Sequence, residues 1–240
     1  DTSVELKWKV AIGPGYSGPT VASGRVFVTD RIVTSVEENG ESEFERVLCL
    51  DEESGDELWT IKYPCSYDIG YPAGPRASVS IDDGRAYALG ATGKLHCIDA
   101  AKGTVLWKSD LRDRFRIQMP IWGIAASPLI FKDLLILHIG GRDGACVVAL
   151  DKRSGEERWR ALDDGASYSS PILIQQAGKD VVVVWNADAI AGLSPTDGTV
   201  FWRLPFPPHK MPIGVPTPII EDDLIFVSSF YDGAYMVQIS

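Results

Sequence analysis

The sequence has few basic residues and no long apolar run. It holds 23 Lys and Arg residues against 33 Asp and Glu residues, for a formal net charge of −10. Phosphate neutralisation needs a positive surface, so this balance argues against nucleic acid as a partner. No window approaches the roughly 18 apolar residues of a membrane span, and no signal peptide is recognisable. Because the sequence starts at Asp1, we expect a processed or excised N-terminus, in which a cleaved export signal would be invisible.

Residues that carry chemistry are also scarce. No nucleophile elbow or Ser/His/Asp arrangement is present, and the histidines show no metal-ligand spacing. The cysteines are not adjacent, and two of them share one repeat position, too far apart for a disulfide. We therefore predict free, buried cysteines and no catalytic, cofactor-binding or metal-binding residue. The residues concerned are Cys49, Cys65, Cys97, Cys146, His96, His138 and His209.

Two local patterns have ordinary structural explanations. Residues 13–18 read Gly-Pro-Gly-Tyr-Ser-Gly and match a dinucleotide-binding fingerprint. That fingerprint needs a helix after it, whereas a strand pattern follows here, so we predict a blade-entry loop. The acidic turns at Asp82-Asp83, Asp163-Asp164 and Glu221-Asp222-Asp223 are explained by turn propensity and solvation.

The main feature that is present is a ten-residue block that recurs four times. In each copy a Gly lies four residues after the first polar residue, and a Trp lies four residues after the Gly. The polar residue can start a turn with its side chain, the Gly permits the tight hairpin, and the next strand carries the Trp. The copies are Leu50 to Trp59, Ile98 to Trp107, Leu150 to Trp159 and Leu193 to Trp202.

The spacing of these blocks predicts the fold. Successive units of roughly 40–50 residues, built only from strand patterns, are the signature of propeller blades. We predict an all-β propeller of four-stranded antiparallel blades in a single domain, 1–240. We expect a polar insertion, Thr34–Glu45, to break the second hairpin of the first blade, and Glu5–Val10 to form the outer strand of a preceding blade. The predicted blades are 11–62, 63–108, 109–160, 161–203 and a partial blade 204–240.

Two closures of the ring are open at this point. The N-terminal strand could complete the fifth blade and close a five-bladed ring, or the sequence could be an excerpt of a larger ring. We favour the excerpt, because the first repeat lacks its turn and the last ends before its own. An unclosed arc would leave blade faces exposed, which isolated repeats avoid by capping.

The recurring blocks of this sequence resemble those of the quinoprotein-type, or PQQ-like, propeller repeat family. The resemblance rests on the Asp-x-x-x-Gly-x-x-x-Trp block and on the dipeptides that open the inner strands: Gly18-Pro19, Gly74-Pro75, Ser127-Pro128, Ser170-Pro171 and Thr217-Pro218. It implies a propeller of seven or eight blades in which the repeat Trp docks between neighbouring blades. By this resemblance the structural residues are Trp59, Trp107, Trp159 and Trp202.

The family divides by function, and the residues favour one branch. Its dehydrogenases use a quinone, which some stack on a vicinal disulfide, and hold calcium with Glu, Asn and Asp, since hard cations need several oxygen ligands. This sequence has no Cys-Cys pair, and Asn39 and Asn186 do not lie in acidic clusters. The cofactor-free, BamB-like branch is the better match. PQQ and calcium belong only to the alternative.

The connections that enter each inner strand are the best candidates for binding. They carry aromatic and Arg residues, which are over-represented where proteins bind, and in a propeller they line one mouth of the central channel. The alternative is that these side chains only pack over the top of the ring. The candidate partner-binding residues are Tyr16, Arg76, Arg116, Trp122 and Tyr168.

We therefore expect a non-enzymatic scaffold that binds a protein or peptide at the ring mouth, exported to the periplasm or another extracytoplasmic compartment of a bacterium. One alternative is a PQQ- and calcium-dependent alcohol or sugar dehydrogenase whose site lies in missing blades. Another is a sensor domain of a larger signalling protein.

Overall fold

The computed structural model describes residues 3–239, with the backbone alone for residues 36–38. Its described residues form five antiparallel sheets, four of four strands and one of three, plus one short helix. The sheets are β1 Thr20–Ala22, β2 Arg25–Glu38, β3 Glu41–Asp51, β4 Glu57–Pro64; β5 Ser80–Asp82, β6 Arg85–Leu89, β7 Lys94–Asp99, β8 Val105–Asp110; β9 Leu129–Phe131, β10 Leu134–His138, β11 Val147–Asp151, β12 Glu157–Ala161; β13 Ile172–Gln176, β14 Lys179–Trp185, β15 Ala189–Leu193, β16 Val200–Pro205; and β17 Ile219–Glu221, β18 Leu224–Ser229, β19 Gly233–Gln238. The helix α1 is Leu111–Arg114.

Within each sheet the strands follow chain order, and neighbours pair antiparallel. This confirms the predicted all-β propeller of four complete blades and a partial fifth. The sequence pattern predicts strands over Lys94–Asp99 and Leu134–His138, and β7 and β10 have the same bounds. The short helix was not predicted; its N-cap is Asp110, whose side chain accepts from the backbone N–H of Asp113, the usual capping arrangement.

The inner strands are shorter than the sequence pattern predicts: it predicts Ala77–Ile81 and Ala126–Phe131, whereas β5 and β9 begin at Ser80 and Leu129. Residues ahead of these strands bond to the neighbouring blade instead. Proline has no backbone N–H to give to a ladder. Ahead of those prolines, Ser127 Oγ accepts from the backbone N–H of Ser78 at 2.9 Å. In the same way Ser170 Oγ accepts from the N–H of Ser127 at 2.9 Å. These openings therefore link the second blade to the third and the third blade to the fourth.

The hydrophobic core lies between blades. Four clusters of buried residues are each shared by two consecutive blades, such as Tyr87 and Leu95 of the second blade with Leu135 and Leu150 of the third. Strand β11 is buried from Val147 to Leu150. A central strand that is covered on both faces has a continuous run of apolar residues. For this reason apolar and polar residues do not alternate along strands such as β11.

The prediction that Thr34–Glu45 breaks the second hairpin of the first blade is wrong. Strands β2 and β3 continue through this segment and pair as far as Glu38 with Glu41, with one irregularity in the register between Val33 and Glu38. The turn is Asn39-Gly40, with φ of 53° and 84°. Two residues at positive φ form the turn that suits a two-residue hairpin, and Asn-Gly is its preferred sequence. The insertion lengthens the hairpin.

The prediction of a strand over Glu5–Val10 is also wrong, since residues 3–19 form no strand. Even so, Trp8 in this segment contacts the first blade. Its Nε1 donates to the carbonyl oxygen of Glu52 at 2.9 Å, and its ring lies against Gly55. The segment therefore docks by its indole without backbone pairing.

The same docking arrangement repeats along the chain. Each indole Nε1 donates to the carbonyl that follows the turn residue of the next blade, and each indole ring covers the Gly of that turn. A methyl group on any of these glycines would lie 2.6–2.9 Å from the indole. The pairs are Trp8 with Glu52 and Gly55, Trp59 with Ala100 and Gly103, Trp107 with Lys152 and Gly155, and Trp159 with Pro195 and Gly198.

Trp202 differs from the other repeat tryptophans in the described residues. Its Nε1 donates to the side-chain oxygen of Gln176 at 2.8 Å, within its own blade. The ring packs against the core shared by the fourth and fifth blades. It is therefore a packing residue here, with no docked turn within residues 3–239.

Candidate functional site

Four connections from an outer strand to the next inner strand, together with the segment that precedes β1, meet at one end of the blades. Three backbone hydrogen bonds join neighbouring members of this set in pairs. The N–H of Tyr16 donates to Pro75 O at 2.8 Å, that of Gly70 to Ile121 O at 2.6 Å, and that of Tyr168 to Gly214 O at 3.1 Å. These bonds join the segment before β1 to the first connection, the first connection to the second, and the third to the fourth, which gives these loops a defined mutual position.

The aromatic residues of these connections surround a cavity of about 170 Å³, here called the aromatic pocket. The ring of Tyr71 meets Trp122 edge-on at 5.7 Å between centroids, and Trp122 lies 5.0 Å from Tyr168. Such tilted and edge-on contacts are favourable beyond simple burial. The pocket is lined by Tyr16, Tyr71, Arg76, Trp122, Ala125, Tyr168 and Val215.

Arg76 holds one side of this pocket in place. Its guanidinium donates to the carbonyl oxygens of Gly70 and Tyr71, at 2.9 and 2.6 Å, and also to that of Gly74. It stacks over the Tyr16 ring, 5.1 Å from the centroid, and burial lowers its pKa. Three of its five N–H donors therefore have backbone carbonyl partners, so the guanidinium positions the loop and the tyrosine.

The structure therefore brings together four of the five predicted partner-binding residues: Tyr16, Arg76, Trp122 and Tyr168. Arg116 is not among the lining residues of the pocket. It adopts a positive φ of 50° and forms an ion pair with Asp143. Tyr71 completes the pocket, and its signal in the sequence was the aromatic character of its connection.

A second, larger cavity of about 560 Å³ adjoins the aromatic pocket, and Tyr168 lines both. We call it the acidic cavity, because Asp163, Asp164 and Asp188 line it with Arg142 as the one basic lining residue among those described. Asp164 accepts from Arg203 at 2.6 Å, while the Asp188 residue is exposed. The sequence analysis explains Asp163-Asp164 by turn propensity and does not predict that both residues line a cavity with Asp188.

A buried polar group supports the pocket from below, and the sequence analysis missed it. Glu45 is fully buried and accepts hydrogen bonds from the hydroxyl of Tyr67 and from the backbone N–H of Ala91. The guanidinium carbon of Arg31 lies 4.5 Å from the centroid of the Tyr67 ring, and the guanidinium of Arg76 lies near the same ring. Burial and the Glu45 carboxylate raise the pKa of Tyr67. A comparison of repeats gives a partial signal, since Glu45 stands where the second and third blades have Gly93 and Ala145, although the fourth has Asp188.

The remaining candidate chemical groups do not assemble into a site. His96 and His138 are buried, and burial lowers the pKa of each to about 4. His209 bonds to Asp232 at 2.7 Å through Nδ1. All four cysteines are free and buried, as predicted. Within residues 3–239 there is no group of three or more His, Cys, Asp or Glu residues placed to hold a metal ion.

Comparison with protein families gives a match over most of the chain. The family model described as "Outer membrane protein assembly factor BamB" matches residues 43–240. Among proteins of curated function, none matches the sequence. None of the described helical residues form a segment long and apolar enough to cross a membrane.

Solved structures of two kinds are similar to this fold. BamB from Moraxella catarrhalis has a TM-score of 0.60 and 18% identity, over 85% of this chain and 59% of that chain. A europium-containing methanol dehydrogenase has a TM-score of 0.67 and 14% identity, over 96% and 50%. The quinohemoprotein alcohol dehydrogenase from Comamonas testosteroni has 0.58 and 17%, over 93% and 43%. At these identities the likeness concerns the fold alone, and this chain spans about half the length of these proteins.

Proposed function

Because this chain belongs to the family of the outer membrane protein assembly factor BamB, we propose that it is a non-enzymatic scaffold of the bacterial cell envelope that binds a protein partner at the ring mouth. The aromatic pocket carries this proposal. Tyr16 and Tyr71 are 52% and 63% exposed, although large aromatic side chains usually gain by burial. Aromatic side chains in a preformed pocket are typical anchors of protein interfaces.

The geometry supports binding by a preorganised surface. The loop hydrogen bonds and the backbone bonds of Arg76 fix the aromatic rings before any partner arrives. Less side-chain freedom is then lost on association, which favours affinity. A scaffold needs such a binding surface and no catalytic group.

A second candidate, from another functional class, is a quinone-dependent alcohol or sugar dehydrogenase. The structural likeness to a methanol dehydrogenase favours it. The donor set of this chain does not fit the cofactors, however. Calcium needs several converging oxygen ligands, and the described residues offer no cluster of that kind. The cysteines are separate and buried, so a vicinal disulfide platform is excluded within this chain.

Photo-crosslinking tests the scaffold proposal. A photoreactive phenylalanine analogue at position 71 would be used to trap partners in envelope extracts, and the purified partner would then be titrated against the full chain. We expect Trp122→Ala to weaken binding about tenfold or more, as for an interface anchor. Phe201→Ala is the matched control, since Phe201 is an exposed aromatic residue on outer strand β16. It should leave affinity unchanged.

Two results would contradict the scaffold proposal. One is a partner that binds Trp122→Ala and the unchanged chain equally well. The other is tight quinone binding with calcium-dependent dye reduction in the presence of alcohols or sugars, which would assign the chain to the enzymes.

A further inference from the structure

The aromatic pocket selects a neutral, apolar group. Arg76 is the one charged residue among those described as lining it, and its guanidinium donates to three backbone carbonyls. Most of its donors are therefore already used by the loop, which weakens binding of an anion, and a ligand cation would face the positive charge of the guanidinium. The exposed surface of the pocket is almost wholly carbon. A sugar ring would lose hydrogen bonds to water there without replacing most of them, which is costly.

The shape of the pocket favours a proline ring. The three rings of Tyr71, Trp122 and Tyr168 present flat faces at interplanar angles of 66° and 34°. Aromatic-lined grooves of this kind bind extended proline-containing segments, whose backbone loses little entropy because it is already extended. The volume of about 170 Å³ suits one such ring.

The neighbouring acidic cavity favours a basic residue next to that ring. Three carboxylates line it, those of Asp163, Asp164 and Asp188, against one basic residue among the described lining, Arg142. Arg203 pairs with Asp164 and the backbone N–H of Gly144 donates to Asp163, so the exposed Asp188 is the carboxylate best placed to receive a new cation. The net charge of −10 attracts a basic partner over a longer range.

We propose that the partner segment is an extended peptide that places a proline in the aromatic pocket and a lysine or arginine in the acidic cavity, with Tyr168 between the two. This inference rests on the proposed scaffold function and names the chemistry of its partner. The two cavities would act together, the first giving an apolar anchor and the second a charge contact that selects the flanking residue.

Fluorescence anisotropy with the full chain tests this inference. The probes are a labelled peptide of about ten residues that alternates proline and alanine and ends in two lysines, a version with every proline replaced by alanine, and a version ending in two glutamates. We expect the first to bind about tenfold more tightly than either other peptide. Trp122→Ala should abolish this difference for proline. Phe201→Ala serves again as the aromatic control.

Asp188→Asn tests the charge contact separately. It should weaken binding of the lysine peptide roughly threefold to tenfold and leave the glutamate peptide unaffected or improved. Raised salt should reduce the same preference. Equal binding of the proline and alanine peptides, or no effect of Asp188→Asn on the lysine peptide, would overturn the inference.

The scaffold proposal can fail or survive independently. If none of the peptides binds while the crosslinked partner still depends on Trp122, the peptide chemistry is wrong and the scaffold stands. If the partner is also indifferent to Trp122, both are wrong.

Discussion

The carboxylate of Glu45 in the first blade accepts a hydrogen bond from the backbone N–H of Ala91 in the second, at 3.0 Å. Both residues are fully buried. The same carboxylate also accepts a hydrogen bond from the Tyr67 hydroxyl. One side chain therefore connects two blades with the Tyr67 loop, which lies beneath the aromatic pocket. Stability and binding geometry are therefore coupled at this residue.

Glu45→Ala is expected to lower the free energy of unfolding by roughly 3 kcal/mol, because it leaves a buried N–H and a buried hydroxyl without an acceptor. Glu45→Gln keeps an acceptor and should cost about 1 kcal/mol. Urea unfolding followed by tryptophan fluorescence measures both. Glu53→Ala, at an exposed position, is the control and should change nothing measurable. An equal effect of Glu45→Ala and Glu53→Ala would show that the buried carboxylate does not link the blades.

Gly103 and Gly84 offer a matched test of indole docking. Both have positive φ, 71° and 70°, so Ala at either position bears the same backbone strain, about 1 kcal/mol. A methyl group at Gly103 would lie 2.7 Å from the Trp59 ring, while nothing lies within 4 Å of one at Gly84. We expect Gly103→Ala to cost roughly 2 kcal/mol more than Gly84→Ala because of overpacking, measured by urea unfolding. An equal loss of unfolding free energy in the two variants would mean that the Trp59 ring moves aside without cost.

His138 should make the protein sensitive to acid. Burial lowers its pKa from 6.5 to about 4, so the unfolded chain binds a proton more readily than the folded one between these values. The folded state is therefore at no disadvantage above about pH 6.5 and is destabilised progressively below it, by roughly 3 kcal/mol near pH 4.

The non-titrating variant His138→Gln removes this contribution. Its free energy of unfolding, measured by urea titration at several pH values, should fall less steeply than that of the unchanged chain between about pH 6.5 and 4. Parallel curves for the two proteins would show that His138 becomes protonated without opposing the fold.

The thiols should be inert until the chain unfolds. Burial raises the pKa of Cys49 and Cys97 to about 11 and that of Cys65 to about 12. Since the thiolate is the reactive form, labelling near neutral pH should be negligible in the native protein, and mass spectrometry should count four labels in urea. A cysteine introduced at the exposed Ser54 is the positive control. Rapid native labelling of any original thiol would reveal local opening around it.

The repeating part of this molecule could be predicted from the sequence, since its physics is local. Asp51 starts a turn by accepting from two backbone N–H groups, and Gly55 closes it at a φ of 77°. Such interactions lie within a few residues and recur, so the strands and blades followed from their spacing. The errors arose at departures from the repeat. The Asn39-Gly40 turn signal lies inside a polar segment that otherwise reads as an insertion, and the Trp of Glu5–Val10 does not by itself establish a strand.

The candidate site was only partly predictable, because it depends on which loops meet. Aromatic character singled out Tyr16, Trp122 and Tyr168, and the structure brings them together. Arg116 had the same character but pairs with Asp143. Nothing in its connection distinguishes the two outcomes. Glu45 lies in a strand, where a polar residue suggests solvent, and its burial depends on the Ala91 loop of another blade.

The docked indoles point in a single direction along the chain. Each of these four hydrogen bonds joins a tryptophan to a carbonyl 36 to 45 residues further on. During synthesis, therefore, each of these four tryptophans is made before its acceptor, which the turn of the following blade supplies. Assembly from the amino end would then add one blade at a time, and the most recently made of these indoles would stay without its acceptor until the next turn is synthesised.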